Sequence, residues 1–390
     1  MLRSELLGED RPIFRYARGC AAAERPTTKP RRNEEPLQQV EVENAKRRIS
    51  NSPFKVLEAP ALADDFYLDL IDWSPSNVLA IGLGSQVYLW SACTSKATVL
   101  CDLGPDDTVS SVSWTQGGAH LAVGSQRGAV RVWDAAKRKK VRDAPGHAAR
   151  VGCLAWRGDC LASGSRDRTV CLRDVREPTA VASKLKAHRQ EVCGLRWSPC
   201  GQYLASGGND NKLFVWSAST MCFSSASPQA TKRTTPACRF ADHQAAVKAI
   251  AWSPHQRGLL ASGAGSADRT IKFWNALAAT NLNSIDTGSQ VCALAWSRTV
   301  DELVSTHGFS LNQICLWRFD KQRRTTNYVT LTGHTHRVLY LAMSPDGASM
   351  VTGAGDATIR FWNCFPRRGG PGTAHHHASV LVPPFGGTVR

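Results

Sequence analysis

The amino-acid sequence predicts an all-β protein, a seven-bladed propeller with disordered tails at both ends, and two observations lead to this prediction. Tryptophan recurs in two registers at a nearly constant interval along the 390 residues. Each interval also holds short strand-like runs that are separated by turn residues. A repeat of about 40–45 residues with this content is typical of propeller blades, which stack radially and leave few exposed strand edges.

The two tryptophan registers define the repeat. The first follows a short apolar run and comprises Trp73, Trp114, Trp156, Trp197, Trp252 and Trp296, with Met343 in the seventh place. The second ends a later strand and comprises Trp90, Trp133, Trp216, Trp274, Trp317 and Trp362, with Arg173 where tryptophan is expected. Steps in the second register are 43, 40, 43, 58, 43 and 45 residues, and the long step contains a Ser/Thr-rich insertion at about 217–239. This period with a Trp-Asp-like ending is the WD40 pattern.

The fourth repeat shows how each blade is built. The run VCGLRW at 192–197 is followed by the turn SPCG, the run YLAS at 203–206, a Gly/Asn/Asp turn and a third run that ends at Trp216. These are hairpin signals with turn residues at fixed offsets. We expect seven such units in residues 56–365. Residues 1–55 are polar and broken by proline, and 366–390 are rich in Gly, Pro and His, so both are expected to be disordered tails, the first regulatory or docking.

Polar residues recur in step with the tryptophans. Four repeats carry a His, a Ser or Thr and an Asp six residues before the final position: His147, Ser163 and Asp167; His188, Ser206 and Asp210; His243, Ser262 and Asp268; His334, Thr352 and Asp356. One such trio might suggest a catalytic triad. Because the trio repeats from blade to blade, we interpret it as a buried structural hydrogen-bond network. No other constellation suggests catalysis, so the chain is not expected to be an enzyme.

Composition narrows the remaining function classes. No apolar run is long enough for a membrane span, and the N-terminus has no secretory signal, so neither membrane nor export is expected. The thirteen cysteines form no C-x-x-C pair, and most lie in strand-like runs, which predicts buried free thiols. The net charge of +16 is scattered without interleaved aromatics, so direct nucleic-acid binding is not expected. The triple histidine at 375–377 has no visible partner ligands, so we predict no metal and no cofactor.

Several stretches are more specific than a generic WD repeat. They are PFKVLEAP at 53–60, DFYLDLIDW at 65–73, EVCGLRW at 191–197, GGNDN at 207–211, AVKAIAW at 246–252, GSQVC at 288–292 and RVLYL at 337–341. From about residue 50 to 365 the chain resembles the Fizzy and Fizzy-related coactivators of the anaphase-promoting complex. ELVSTHGF at 302–309 resembles the Fizzy-related branch, and Leu6-Leu7 with 13–16 resembles its plant members.

The resemblance implies a receptor for two short degrons that holds cell-cycle proteins such as cyclins against a ubiquitin ligase. For the destruction box (Arg-x-x-Leu), it implies a groove between the first and last blades, with Asp65 placed for the degron arginine and Ala357 where the family has glutamate. For the Lys-Glu-Asn box, it implies a site near the axis of one face. The implied residues there are Asp72, Asn209, Ser266, Gln290 and Arg337.

Four of these residues also have a simpler interpretation. Asp72 could cap a strand, Asn209 could be a turn residue, and Gln290 and Arg337 could belong to a solvated rim. Two departures from the family are relevant. Ser266 replaces a threonine and keeps its hydroxyl, and Ala357 lacks the family's carboxylate, so destruction-box binding is expected to be weaker by roughly 1 kcal/mol or more.

The resemblance also implies docking and regulation. Family members dock through an N-terminal C-box and a C-terminal Ile-Arg. Residues 10–14 do not match the first, so the chain is expected to begin downstream of it, and Val389-Arg390 is a partial match to the second. Ser52 lies in a Ser-Pro-x-Lys kinase pattern. The basic runs 29–32 and 46–48 resemble a nuclear import signal, which predicts a location in the nucleus and cytoplasm.

Two other functions stay open: a degron-binding isoform or decoy that activates the ligase weakly, and a generic WD40 scaffold.

Overall fold

The fold is described from a computed structural model, in which residues 47–177, 183–221, 235–319 and 325–366 are described. Within these ranges the chain forms seven four-stranded antiparallel sheets, which confirms the predicted all-β propeller. The innermost strands of the sheets contact one another in cyclic order, and the first contacts the last, so the ring is closed. A single-turn 3-10 helix, Ala218–Thr220, is the one helix of these ranges. No helix of the described residues is long and apolar enough to span a bilayer.

From the axis outward, the strands of each blade follow the order of the chain, except in blade seven, whose outermost strand is β1. They are β1 (Lys55–Glu58); β2 (Ile71–Trp73), β3 (Val78–Leu83), β4 (Gln86–Ser91) and β5 (Ala97–Asp102) in blade one; β6 (Val109–Trp114), β7 (His120–Ser125), β8 (Val130–Asp134) and β9 (Lys139–Asp143) in blade two; β10 (Cys153–Arg157), β11 (Cys160–Gly164), β12 (Val170–Asp174) and β13 (Ser183–Leu185) in blade three; β14 (Val192–Trp197), β15 (Tyr203–Gly208), β16 (Leu213–Ser217) and β17 (Cys238–Phe240) in blade four; β18 (Val247–Trp252), β19 (Leu259–Ala264), β20 (Thr270–Asn275) and β21 (Thr280–Asp286) in blade five; β22 (Val291–Trp296), β23 (Glu302–His307), β24 (Ile314–Phe319) and β25 (Thr325–Leu331) in blade six; and β26 (Val338–Met343), β27 (Ser349–Ala354) and β28 (Thr358–Asn363) in blade seven.

The ring closes through β1, which is the outer strand of blade seven although it begins the propeller. It pairs with β28 in antiparallel register, Leu57 opposite Ile359. Burial alternates along β1. Leu57 packs against the buried hydrophobic cluster that includes residues of blades one and seven, whereas Val56 is 48% exposed. The N-terminal strand therefore completes the last sheet, and the closed ring leaves only short, protected strand edges.

The predicted polar networks form in all four blades. In blade four, the His188 ring lies 3.0 Å from Asp210 and 2.9 Å from Ser206, and Trp216 Nε1 donates to the Ser206 hydroxyl at 2.9 Å. Blades five and seven repeat this arrangement with Trp274 and Trp362. The trio of Ser, His and Asp is thus a structural network, as the sequence predicted, and every member has partners.

Blade three replaces the tryptophan donor with a guanidinium. Arg173, which is 4% exposed, donates from Nη1 to Ser163 Oγ at 2.8 Å and from Nη2 to the Pro145 carbonyl at 2.8 Å. Burial lowers the pKa of Arg173. The network of blade three therefore keeps its geometry, but it places a buried cation where the other networks hold an indole.

The first tryptophan register joins neighbouring blades. The indole Nε1 groups of Trp114, Trp156, Trp252 and Trp296 donate to the carbonyls of Asp72, Ser113, Arg196 and Ala251, at 3.0–3.2 Å. Each acceptor immediately precedes the tryptophan of the preceding blade. The repeat of this residue type is therefore explained by a bond between blades as well as by burial of the ring.

Most of the described cysteines are buried free thiols, as predicted, whereas Cys93 and Cys200 are exposed and Cys238 is partly buried. Cys153, Cys171, Cys193, Cys292 and Cys315 are free and buried in strands. Burial raises the pKa of Cys292 to about 12, which keeps this thiol protonated. These residues therefore act as small apolar side chains of the interior.

Candidate functional site

Six of the seven residues that the resemblance assigns to degron binding gather at one end of the propeller. We call this end the top face: it carries the loops that lead into the first strand of each blade and the turns between the second and third strands. Asp65, Gln290 and Arg337 lie in the former, and Asn209, Ser266 and Ala357 lie in the latter. Asp72 lies near the other end, one residue before β2 ends. The antiparallel order of the strands thus brings residues up to 292 positions apart to one surface.

A single stretch of chain crosses the top face between β1 and β2. We call residues 62–68 the axial segment. Phe66 and Leu68 are buried, the Tyr340 hydroxyl donates to the Ala63 carbonyl at 2.6 Å, and the buried Lys248 ammonium lies 5.3 Å from the Phe66 ring centroid. Apolar side chains and a hydrogen bond therefore fix this irregular segment over the inner strands.

On the blade-seven side, the axial segment holds Arg337. The guanidinium donates from Nε to Asp64 Oδ1 at 2.9 Å and from Nη2 to the Asp64 carbonyl at 2.8 Å, and it lies 4.7 Å from the Phe309 ring centroid. Gln290 borders the same place, since a Cβ added at Gly308 would meet both Gln290 Oε1 and Arg337 Cδ. Gln290 is 6% exposed, and its Oε1 accepts no hydrogen bond from the described residues. An oriented cation and a buried amide oxygen thus lie side by side.

On the opposite side, the axial segment connects Asp65 with Asn209. Asp65 accepts hydrogen bonds from the Tyr67 backbone N–H at 2.8 Å and from Arg150 Nη1 at 2.9 Å. The Tyr67 hydroxyl donates to Asn209 Oδ1 at 2.9 Å. Arg150 also forms a two-point pair with Glu191, at 2.7 and 2.9 Å. Asp65 and Asn209, which the resemblance assigns to different degrons, are therefore two hydrogen bonds apart.

Charge in this cluster is tightly balanced around Arg150. Burial opposes the charged form of the guanidinium, but Glu191 and Asp65 outweigh it and raise the pKa of Arg150. Burial also raises the pKa of the Tyr67 phenol, so it remains a hydrogen-bond donor. A ligand that approaches Asp65 therefore meets a carboxylate already shared with an internal arginine.

Asp72 has a structural environment. Its carboxylate accepts the backbone N–H groups of Trp73 at 2.9 Å and Trp114 at 2.7 Å, so it joins blades one and two. Burial raises the pKa of Asp72 to about 6. These contacts favour the interpretation of Asp72 as a strand cap; a direct contact with a degron lysine stays a prediction.

The remaining assigned residues differ in how closely they join the cluster. Ala357 has a φ of 56° in the last turn of blade seven, and its carbonyl accepts the N–H of Ala59 at 2.8 Å. Asp64, not Asp65, borders this turn, because a Cβ on Gly355 would lie 2.8 Å from the Asp64 carboxylate. Ser266 is exposed in blade five, and Ser52 is exposed shortly before β1. Val389 and Arg390 lie outside the described residues, as do the import signal at 29–32 and the triple histidine.

Sequence reasoning missed Asp64, Tyr67, Arg150 and Glu191. Asp64 directly precedes the string 65–73, Tyr67 lies inside it, and Glu191 begins the string 191–197, so these strings were the available signal. Arg150 lies outside all of the family-like stretches of the sequence. The pairs link positions 41 to 273 residues apart through an irregular loop, and no periodic pattern predicts such contacts.

The fold and this face define the class: a WD40 β-propeller with an ordered polar cluster over its axis. The chain belongs to the CDC20/Fizzy family, because the model of the CDC20/Fizzy WD40 domain matches residues 57–362.

Several relatives support this membership. The chain is 58% identical over 322 residues to the B-type cell cycle switch protein ccs52A of Medicago truncatula, covering 83% of this chain and 64% of that protein. It is 57% identical over 320 residues to Protein FIZZY-RELATED 1 of Arabidopsis thaliana, covering 82% and 64%. It is 52% identical over 344 residues to the Anaphase-promoting complex subunit cdh1 of Dictyostelium discoideum, covering 82% and 45%. These names agree with the Fizzy-related branch that the sequence indicated.

A solved structure is also similar. A chain in a crystal structure of the mitotic checkpoint complex aligns with a TM-score of 0.77 at 40% identity, covering 82% of this chain and 98% of that one. This chain spans about two-thirds or less of the length of the relatives above, 64% of the two plant proteins and 45% of the Dictyostelium protein.

Proposed function

We propose that this chain is a substrate-recognition coactivator of the anaphase-promoting complex, whose top face binds Lys-Glu-Asn and destruction-box degrons so that cell-cycle proteins such as cyclins are ubiquitinated and degraded. Family membership supports the coactivator role, and one relative bears the name of an anaphase-promoting complex subunit. No catalytic role is proposed, because the repeated Ser, His and Asp residues are engaged in structural networks.

The observation that carries the degron assignment is the axial segment. It holds Arg337 and Asn209 on one face, and Gln290 lies beside Arg337. We assign the glutamate of the Lys-Glu-Asn box to Arg337 and its asparagine and backbone to Asn209 and Gln290, because these groups offer the matching donors and acceptors. We assign the destruction-box arginine to Asp65, where a charge-assisted pair contributes about 1.5–3 kcal/mol.

The first test is titration of the protein with labelled Lys-Glu-Asn and destruction-box peptides, each beside a peptide with a scrambled motif. Arg337→Ala is expected to abolish the preference for the first motif, and Asp65→Ala the preference for the second. Arg239→Ala, on the exposed outer strand β17, is the control and should preserve both. If a folded wild-type protein does not distinguish motif from scrambled peptides, the degron assignment is wrong and the generic scaffold becomes the better explanation.

We further propose that the protein acts in the nucleus and cytoplasm. The support is the paired basic runs at 29–32 and 46–48. A fluorescent fusion in which both runs are changed to glutamine should lose nuclear accumulation, and an unchanged distribution would contradict the proposal.

A further inference from the structure

A concave pocket of about 440 Å³ opens on the top face between blades three and four. It is lined by residues of five loops and turns, with Asn209 among them, and Arg337 is not in its lining. The residues that matter here are Tyr67, Arg150, Arg166, Arg168, Arg189 and Asn209. None of these four arginines takes part in the proposed degron contacts.

The floor of the pocket is close to neutral. Arg150 is paired with Glu191 and, through its remaining nitrogen, with Asp65. Its guanidinium also lies 5.3 Å from the Tyr67 ring centroid. Two carboxylates thus compensate one guanidinium, and the floor carries at most a small negative charge.

The rim is different. Arg166, Arg168 and Arg189 are exposed, and within the described residues none of their guanidinium groups donates to a carboxylate. Three uncompensated cations therefore converge on one concavity, and together they exceed the charge of the floor. Such an arrangement favours a compact anion with several acceptor oxygens, because guanidinium groups bind carboxylate and phosphate through paired donors.

The position of the pocket suggests the source of the anion. Asn209 lines the pocket and also belongs to the proposed Lys-Glu-Asn site, so a peptide held there extends directly into the arginine rim. The carboxylate of Glu191 in the lining, together with that of Asp65 paired to Arg150, disfavours a continuous polyanion such as nucleic acid. One anionic side chain fits the charge pattern better.

We propose that this pocket binds an acidic or phosphorylated side chain that flanks the Lys-Glu-Asn box of a bound substrate. The proposal rests on the proposed function and adds a specificity rule to it: substrates with an anionic flank are preferred, and phosphorylation of that flank strengthens binding. A phosphate carries more charge and more acceptor oxygens than a carboxylate, so its effect is the larger.

The test uses the full chain and one Lys-Glu-Asn peptide with three flanks, glutamine, aspartate and phosphoserine, placed before or after the box. At low salt the phosphoserine peptide is expected to bind wild-type protein about tenfold or more tightly than the glutamine peptide, on one side of the box. The triple variant Arg166→Gln, Arg168→Gln, Arg189→Gln should lose this preference and keep its affinity for the glutamine peptide.

Arg269→Gln is the matched control. Arg269 follows Asp268 in the turn of blade five as Arg168 follows Asp167 in blade three, and both have positive φ, 58° and 70°. It lies outside the pocket, so its variant should retain the preference. A preference that survives in the triple variant, or one that wild type lacks while it binds the glutamine peptide, would overturn the pocket. A glutamine peptide that binds no better than its scrambled form would instead refute the proposed function.

Discussion

At the scale of the residue, Arg173 tests the interpretation of the polar networks. It is buried, it has no carboxylate in direct hydrogen bond, and its Nε lacks a partner among the described residues. Arg173→Trp should restore the indole donor to Ser163 and remove a buried cation, so we expect the free energy of unfolding to rise by about 1–3 kcal/mol. Urea denaturation measures it.

The reciprocal variant serves as its control. Trp216→Arg places a cation in the equivalent position of blade four, where Trp216 is 1% exposed, and should destabilise the protein by about 3 kcal/mol or more. If both substitutions lower the free energy of unfolding, blade three has adapted to arginine and the networks are not equivalent.

His307 gives the stability of the propeller a defined pH dependence. It lies between Ser289 and Ser305 in blade six, and burial lowers its pKa from 6.5 to about 4. Between these values the unfolded chain binds the proton more readily, so stability falls as pH falls through this window. We expect His307→Asn to remove about 2 kcal/mol of the loss between pH 7.5 and 5.0. An identical loss in variant and wild type would contradict this.

Substitution at Ala357 tests whether a carboxylate at this position contributes to the proposed destruction-box site. Arg168, Asn211 and Arg269 occupy the same turn position in other blades with φ of 58–70°, so glutamate should be accommodated at 357 without added strain. Ala357→Glu is expected to tighten a destruction-box peptide by about fivefold, corresponding to roughly 1 kcal/mol. Ala357→Gln controls for size, and an unchanged affinity of the glutamate variant would refute a role for this position.

Which residue-level features the sequence could predict depends on how regular they are. The networks of blades three, four, five and seven were predictable because His, Ser or Thr, and Asp recur at fixed offsets. Blade six was missed because its histidine has moved from the loop to the end of β23: Ser289 takes the loop position, His307 reaches Ser305, and Trp317 completes the network. The same polar cluster is built with a different spacing, which a pattern search does not recognise.

At the scale of the element, β1 is the strand on which closure depends. Leu57 packs on the core and Val56 faces solvent, so two adjacent substitutions separate burial from sequence position. Leu57→Ser should lower the free energy of unfolding by about 1–2 kcal/mol, and Val56→Ser by less than about 0.5 kcal/mol. Thermal unfolding of both variants measures the difference. Similar shifts would mean that the side chain of Leu57 adds little to closure.

The conformation of the axial segment could not be predicted from the sequence. Strands and turns follow from alternation and glycine placement, but residues 62–68 have no period, and their position depends on distant partners such as Tyr340 and Lys248. The resemblance assigns Asp65 and Asn209 to two different degron sites, and only the fold shows that Tyr67 joins these residues and that Asp65 is paired with Arg150.

At the scale of the whole molecule, the ion pair between Arg150 and Asp65 predicts that the two proposed degron sites are coupled. A destruction-box arginine that binds Asp65 competes with Arg150, whose released nitrogen then adds positive charge to the neighbouring arginine pocket. Saturating destruction-box peptide should therefore tighten the Lys-Glu-Asn peptide with a phosphoserine flank by about fivefold, with the reciprocal effect required by linkage. The same peptide with a glutamine flank should change little, and Arg150→Gln should abolish the coupling because no guanidinium is then left to exchange partners. If wild-type protein binds the phosphoserine peptide equally well with and without the destruction-box peptide, Arg150 does not exchange partners and the two sites act independently.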